Sequence, residues 1–570
     1  MRRNQGIVNI SAAGLGALLL VSSLSTGCGD AMSADAEFGA SAGSGYGDDG
    51  GFDTGGLSDS GDGDGDGDGA EEGTSGDGEP APPPPEEEEE GDFRVPEASG
   101  KYVYSASETT DRVAAINTDN LVIDVVDVGG GPTMVRSIPG QGADEGAVAV
   151  LDVVTEDVAL VRTSAVGETS VELRDVTPSA NAVEVSPDGA WVLAYHDVDL
   201  GELIGPGSDQ EVTLISPNDA SKSTAMTVGL HPREVKFSPD ASRIYIVTDD
   251  GVNVVDLTAA TISGKPVLYP VVSDPGIDPA TLEVVVAPQS GQAISRVNGD
   301  TWLVITDLDT GAQTTLDLPG FPTDLDLDPD GNFALLTLPS QEGSSVIRVP
   351  LPASSDSDFE VFPVGSEYVG VAEIADSGDS MILYTTQNPW EESGTEPPLG
   401  DPRQRFTIAR VGSGDWQDQT TLFTEVPIRA VGIEPSGASA ILLHDSAPSV
   451  YPNAPWPYTI VDLSVPFPIK KVQTAEAKPG TVIFTPAGDR AAVSIRSDSA
   501  SVRRVDLVDL GTFIVDGLEL GSPPQGLAYV EATDKIMISQ EHPTGRLTFV
   551  DGDGDVQTVT GFELSDAVKD

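Results

Sequence analysis

The sequence predicts an all-β protein, a β-propeller of four-stranded repeats preceded by a disordered acidic linker. Three observations carry that expectation. A turn signature recurs, as VSPDGAWVLAYHD at 185–197, FSPDASRIYIVT at 237–248, LDPDGNFALLTL at 327–338, IEPSGASAILLHD at 433–445 and FTPAGDRAAVSI at 484–495. Short runs rich in Val, Ile and Leu follow one another every 8–12 residues, divided by Gly, Pro, Asp and Ser, which marks an all-β chain. The whole pattern then repeats with a period of 41–59 residues after Pro187, the length of one propeller blade with its loops.

One unit shows how the strands fall. REVKF at 233–237 is strand a, Ser238-Pro239-Asp240 is a turn, RIYIVT at 243–248 is b, GVNVVDL at 251–257 is c, and KPVLYPV at 265–271 is d. Pro239 suits the turn because its φ is preset and it donates nothing to a ladder. Asp240 suits it because its carboxylate bonds nearby backbone amides. Strand c recurs at 112–117, 211–217, 302–308, 345–351, 405–411, 458–463 and 546–552. Equivalent turns fall at Pro96, Pro187, Pro239, Pro288, Pro329, Asp376, Pro435, Pro486 and about Glu531. The 91-residue gap between Pro96 and Pro187 holds one further unit, with AVAVLD and SVELRDV as strands and an irregular turn. The count is about ten units, or 7–10 blades if some are insertions, against the usual four to eight. One continuous domain over 93–570 is the reading adopted. A lone blade cannot cover both of its faces, so stacking neighbours round an axis buries the Val/Ile/Leu rows.

VSPDGAWVLAYHD and GKYVYSASETTDRVAAINT, at 100–118, resemble the YVTN-type and WD-repeat-like propeller repeats of bacterial envelope proteins. The resemblance covers nearly everything from Phe93 onward. It implies a binding or assembly scaffold, with protein partners. Its alternative is a metal-dependent enzyme, because similar propellers include lactonase-like hydrolases whose metal sits near the central axis.

The N-terminus reads as an export signal over 1–27: Arg2 and Arg3, an apolar run from Ser11 to Val21, then LSTGC. The run falls short of the roughly 20 apolar residues a spanning helix needs. LSTGC resembles a lipobox, which implies that Cys28 is lipidated. It departs from that pattern in having Ser25 where Leu is usual, with Leu24 one place earlier. Cys28 is the only cysteine, so no intramolecular disulfide can form. Gly29 after the cysteine lacks the Asp that retains lipoproteins at the inner membrane, although Asp30 follows. The resemblance therefore implies the outer membrane or cell surface, and simple secretion if Cys28 stays unmodified.

Residues 28–92 form an acidic tether. From Gly29 to Asp92 there are 21 Asp plus Glu and no Lys or Arg, too little apolar surface to offset the entropy of ordering. A flexible coil of that length reaches about 40–48 Å before self-repulsion extends it. Over the full 570 residues 93 acidic side chains face 29 basic ones, a net charge of −64 that repels phosphate backbones and argues against nucleic acid as a partner.

Motifs for chemistry are sparse. Asp62, Asp64, Asp66 and Asp68 alternate with glycine as in a calcium loop, but Ser60 stands at position 1 and neither flank reads as helical, so a solvated spacer is the simpler reading. GASAG at 39–43 matches G-x-S-x-G without the strand and helix that motif needs. The four histidines, His196, His231, His444 and His542, form no ligand cluster. His196-Asp197 and His444-Asp445 both follow strand b, in units five apart. No catalytic residue is assigned. Two acidic stretches have the alternation of oxygen ligands that suits calcium: Asp324, Asp326 and Asp328 on a strand a expected to line the axis, and Asp551, Asp553 and Asp555. In up-and-down blades the b–c and d–a loops share one face. Long b–c loops at 196–210, 386–404 and 444–457 lie there; the last two carry Trp390, Tyr451 and Trp456, and with Tyr458 directly after them these form the aromatic set chosen as a candidate binding face.

Overall fold

A computed structural model describes residues 95–140, 146–201, 209–259, 261–272, 276–340, 343–353, 359–364, 369–386, 405–411, 419–464, 467–497 and 501–562. The signal, lipobox and tether readings lie outside these residues. Within them, forty strands form ten four-stranded antiparallel sheets, each sequential in the chain. We number the sheets as blades 1–10 and letter their strands a–d outward. They span Glu97–Asp127, Pro132–Asp175, Ala182–Thr227, Glu234–Tyr269, Leu282–Asp317, Asp324–Pro363, Val371–Phe423, Ile428–Ala475, Pro479–Glu519 and Pro524–Thr560.

Alternation within strand b explains the stacking. In blade 6, Phe333 and Leu335 pack against blade 7 with Met381 and Leu383, while Ala334 and Leu336 pack against blade 5 with Ile294 and Leu303. Successive side chains point to opposite faces of a strand, so one b strand serves two neighbours. The described residues hold ten apolar clusters, and each lies between two successive blades. The tenth joins the chain's ends: Val103, Ile116 and Val125 of blade 1 meet Val530, Met537 and Phe549 of blade 10. Thr118 and Thr533 hydroxyls lie 2.9 Å apart across that seam, and the Lys535 ammonium donates to the Thr118 carbonyl at 2.6 Å. Among the described residues no strand is exchanged between first and last blades, and side chains and these bonds close the ring.

The recurrent turn has a physical role. The residue before its proline turns a polar side chain back onto the hairpin: Ser186 Oγ accepts from the Trp191 amide at 3.0 Å, Ser238 Oγ from Arg243 at 2.9 Å, and Thr485 Oγ1 from Arg490 at 3.2 Å. Asp328 and Glu434 do the same with carboxylates, accepting from Asn332 at 2.9 Å and Ser436 at 2.8 Å. Such side-chain-to-backbone bonds favour a tight turn over a longer loop. Blade 1 corrects one assignment. Pro96 precedes its strand a, and the turn falls at Gly100, whose φ of 55° is a left-handed conformation glycine adopts without strain.

The outer d strands are largely exposed, as in Ile514–Glu519 and Asp219–Thr227. Stability therefore resides between blades. Leu336→Ala should cost about 2–5 kcal/mol through lost contacts and a cavity. Val472→Ala, on an outer strand where Val472 is 41% exposed, should change stability by under about 0.5 kcal/mol. Urea unfolding midpoints of the two variants check this, and equal shifts would contradict it.

Candidate functional site

Trp390 lies outside the described residues. The other three aromatic candidates separate. The 445–455 loop is folded onto itself, the Ala447 amide donating to Pro455 at 2.7 Å and the Tyr451 amide to Ala447 at 2.8 Å. The Tyr451 hydroxyl donates to Glu425 at 3.2 Å, pinning the loop to the d–a connection of its own blade. Trp456 opens strand c of blade 8 half-buried. Tyr458 is fully buried, and its hydroxyl donates to Asp506 Oδ2 of blade 9 at 2.8 Å. It latches two blades together and presents nothing to a surface partner, because strand c begins two residues earlier, at Trp456, and directs Tyr458 toward blade 9.

The paired histidines are equivalent structural contacts. Nδ1 of His196 is 3.1 Å from the Ser179 carbonyl, and Nδ1 of His444 is 3.2 Å from the Pro427 carbonyl, each on the d–a connection ahead of its own blade. A carbonyl only accepts, so the proton sits on Nδ1 in both. That leaves Nε2 of His444 to accept from the Thr459 hydroxyl at 2.7 Å. Burial lowers the His444 pKa to about 4, which keeps the ring neutral. The two rings belong to blades 3 and 8, on opposite sides of the ring.

The acidic alternations are engaged by backbone. Asp551 Oδ1 accepts from the amides of Asp553 at 3.0 Å and Asp555 at 2.9 Å, closing the c–d hairpin of blade 10. Asp328 caps its turn as described. Asp324 Oδ2 accepts from the Ala372 amide of blade 7 at 2.8 Å. Asp324 and Asp328 are buried, whereas Asp326 between them is half-buried. Among the described residues no group of three or more His, Cys, Asp or Glu is disposed to hold a metal.

Sequence reasoning missed the cleft that Asp551 and Asp553 help to line. It opens on the face of the a–b and c–d turns, across blades 8, 9 and 10, with a volume of about 950 Å³. Asp489, Asp509, Asp534, Asp551 and Asp553 surround a single Arg490. Arg490 is committed to the protein, donating to Asp534 at 2.6 Å and to the Asp551 carbonyl at 3.2 Å. The cleft keeps a surplus of negative charge. Its residues come from five turns spread over 436–553, so only the ring geometry assembles them.

A second acidic group was only partly legible. Strand a of blade 6 meets Glu373 of blade 7 and Glu283 of blade 5. Burial first, then the Asp324 charge and a hydrogen bond with Asp324, then Glu373 and Glu283, raise Asp326 well above the carboxylate range. Glu373 is pushed up to about 8 by burial first, then by Asp324 and Asp376. The unfolded chain releases the Glu373 proton near 4.5, whereas the folded chain holds it until about 8. Stability contributed by this group is therefore present below the lower value and declines as pH rises through the window. Glu373→Gln should raise the melting temperature above pH 8 and change it little near about pH 4, where both forms are neutral. An equal shift at both pH values would exclude this.

Neither a family model nor a curated protein matches the chain. Solved structures similar to it include a eukaryotic initiation factor, at 13% identity and a TM-score of 0.46, over 71% of this chain and 93% of that one. The C-terminal WD40 domain of Sif2 is 11% identical at a TM-score of 0.35, over 64% of this chain and 96% of that one. The propeller domain of Myceliophteria thermophila Cps50 (Swd1) is 14% identical at 0.30, over 56% and 95%. The ten-blade propeller described above rests on the chain's own sheets and interfaces.

Proposed function

We propose that this chain is exported, carries lipid on Cys28, and displays its propeller from the cell envelope as a binding scaffold. Its contact surface is the acidic cleft across blades 8–10, and its partner is a protein that offers a basic segment. The observation that carries this reading is the cleft itself, in which five aspartates surround one arginine already bonded to the protein. Complementary charge steers such an encounter and sets its register. Propellers host both binding and catalysis, so the cleft and not the fold supports the proposal. The lone cysteine behind the apolar run supports the anchor, and the tether supplies reach.

Two measurements test it in the full-length protein expressed in a bacterium with an outer membrane. Wild type should sediment with membranes, whereas Cys28→Ser should move to the soluble fraction; equal distributions would end the anchoring proposal. A photo-crosslinking residue at position 553 should give an adduct of discrete mass that Asp489→Lys with Asp534→Lys abolishes. The same probe at position 472, on an outer strand, should give none. Adducts from both positions, or from neither, would exclude the cleft as the contact surface.

A further inference from the structure

Blade 2 contains an arrangement that the fold does not require. Its b–c hairpin closes on Asp152 directly opposite Asp157. The same closing pair is Ser107 with Arg112 in blade 1, Thr248 with Gly251 in blade 4, Leu338 with Ser345 in blade 6 and Gln540 with Arg546 in blade 10. Like charges directly opposite in an antiparallel pair are destabilising, more so when buried. Here Asp152 is 0% exposed and Asp157 is 7% exposed. Oδ1 of each carboxylate is buried and receives no hydrogen bond from the rest of the protein. Burial first, then a hydrogen bond with Asp157, pushes Asp152 up to about 9, so without a cation the two carboxyls share a proton.

The chain entering blade 2 folds over this pair as three consecutive glycines. The Gly129 amide donates to Asp152 Oδ2 at 3.0 Å, Gly130 to Thr155 Oγ1 at 2.9 Å, and Gly131 to Asp111 Oδ1 at 2.8 Å. A β-carbon on Gly129 would fall 2.6 Å from both Asp152 Oδ2 and Asp157 Oδ1, and would also meet Thr155 Oγ1. Three oxygens from two carboxylates and a hydroxyl thus crowd together over the Gly129 α-carbon and leave no room for a side chain there. Asp157 Oδ1 is the unpartnered one and points there.

We propose that Asp152, Asp157 and Thr155 bind a divalent hard cation, calcium, at the junction of blades 1 and 2. Calcium accepts carboxylate, hydroxyl, carbonyl and water oxygens at 2.3–2.6 Å in flexible geometry, and two carboxylates with a hydroxyl supply the anionic core of such a shell. Its charge replaces the shared proton between the two carboxyls and occupies Asp157 Oδ1, the unpartnered oxygen on this side. Asp111, held on Gly131, adds a third negative charge close by. With only two acidic ligands in its inner set, the site differs from the larger acidic clusters sought elsewhere in the chain. It is also independent of membrane anchoring.

The test uses the full-length protein, stripped with chelator and titrated with calcium alone. Weak binding along the tether is common to all variants, so the readout is the difference between them. Wild type should take up one more tightly bound calcium than Asp157→Asn or Asp152→Asn, by native mass spectrometry. Its melting temperature should rise with calcium, while those of the variants stay level. Equal calcium stoichiometry and equal melting response in all three proteins would overturn the proposal. Should the variants fail to fold, wild type alone decides: retention of no calcium at millimolar concentration overturns it. So does a chelator-insensitive melting temperature, which would mean that the two carboxyls share a proton instead.

Discussion

Every blade depends on the alternation of side chains along its b and c strands, because each strand must satisfy two neighbours at once. In blade 3, Val192 and Ala194 pack toward blade 2 while Leu193 and Tyr195 pack toward blade 4. A sheet so loaded is apolar on both faces and has no stable existence alone. The ring answers this by giving every face a partner, including the faces at the two ends of the chain. Polar contacts then fix the angle between blades. The Arg296 guanidinium of blade 5 donates to the carbonyls of Pro322 and Thr323 ahead of blade 6, at 3.0 and 2.9 Å, and Tyr104 of blade 1 donates to Thr163 of blade 2 at 2.8 Å.

The fold was legible because its signals are local. Ser238-Pro239-Asp240 specifies a turn by itself, and the strands on either side reveal their period within six residues. The further unit in the 91-residue gap was legible from the spacing and from the runs AVAVLD and SVELRDV, and blade 2 lies there. Pro96 was misplaced because a proline beside a strand resembles a turn proline until Gly100 is seen to take the left-handed conformation.

The sites were much less legible, since what distinguishes them is assembly from distant positions. Asp489, Asp509, Asp534 and Asp551 look like four unrelated turn residues in the sequence, and the ring places them round one cleft. Conversely, residues close together were over-read. Asp551, Asp553 and Asp555 have ligand-like alternation, yet Asp551 serves the amides of the other two. Tyr458 sits two residues from Trp456 but is buried against the next blade. Short-range pattern reports backbone bonding, whereas chemistry here depends on contacts made across blades.

Closure of the ring by side chains, with each blade complete in its own stretch of chain, makes the order of synthesis separable from the architecture. In propellers that interlock a terminal strand, the first and last segments are irreplaceable fasteners. Here the interface of blades 10 and 1 is one of ten comparable apolar seams, distinguished only by the lack of a covalent link across it. The chain could therefore begin at any d–a connection, with its old ends joined, and specify the same ring. In topological terms the molecule is a cycle of equivalent modules with a nick. The last seam can form only after residue 549 has been made, so a nascent ring remains an open arc with two uncovered apolar faces until then.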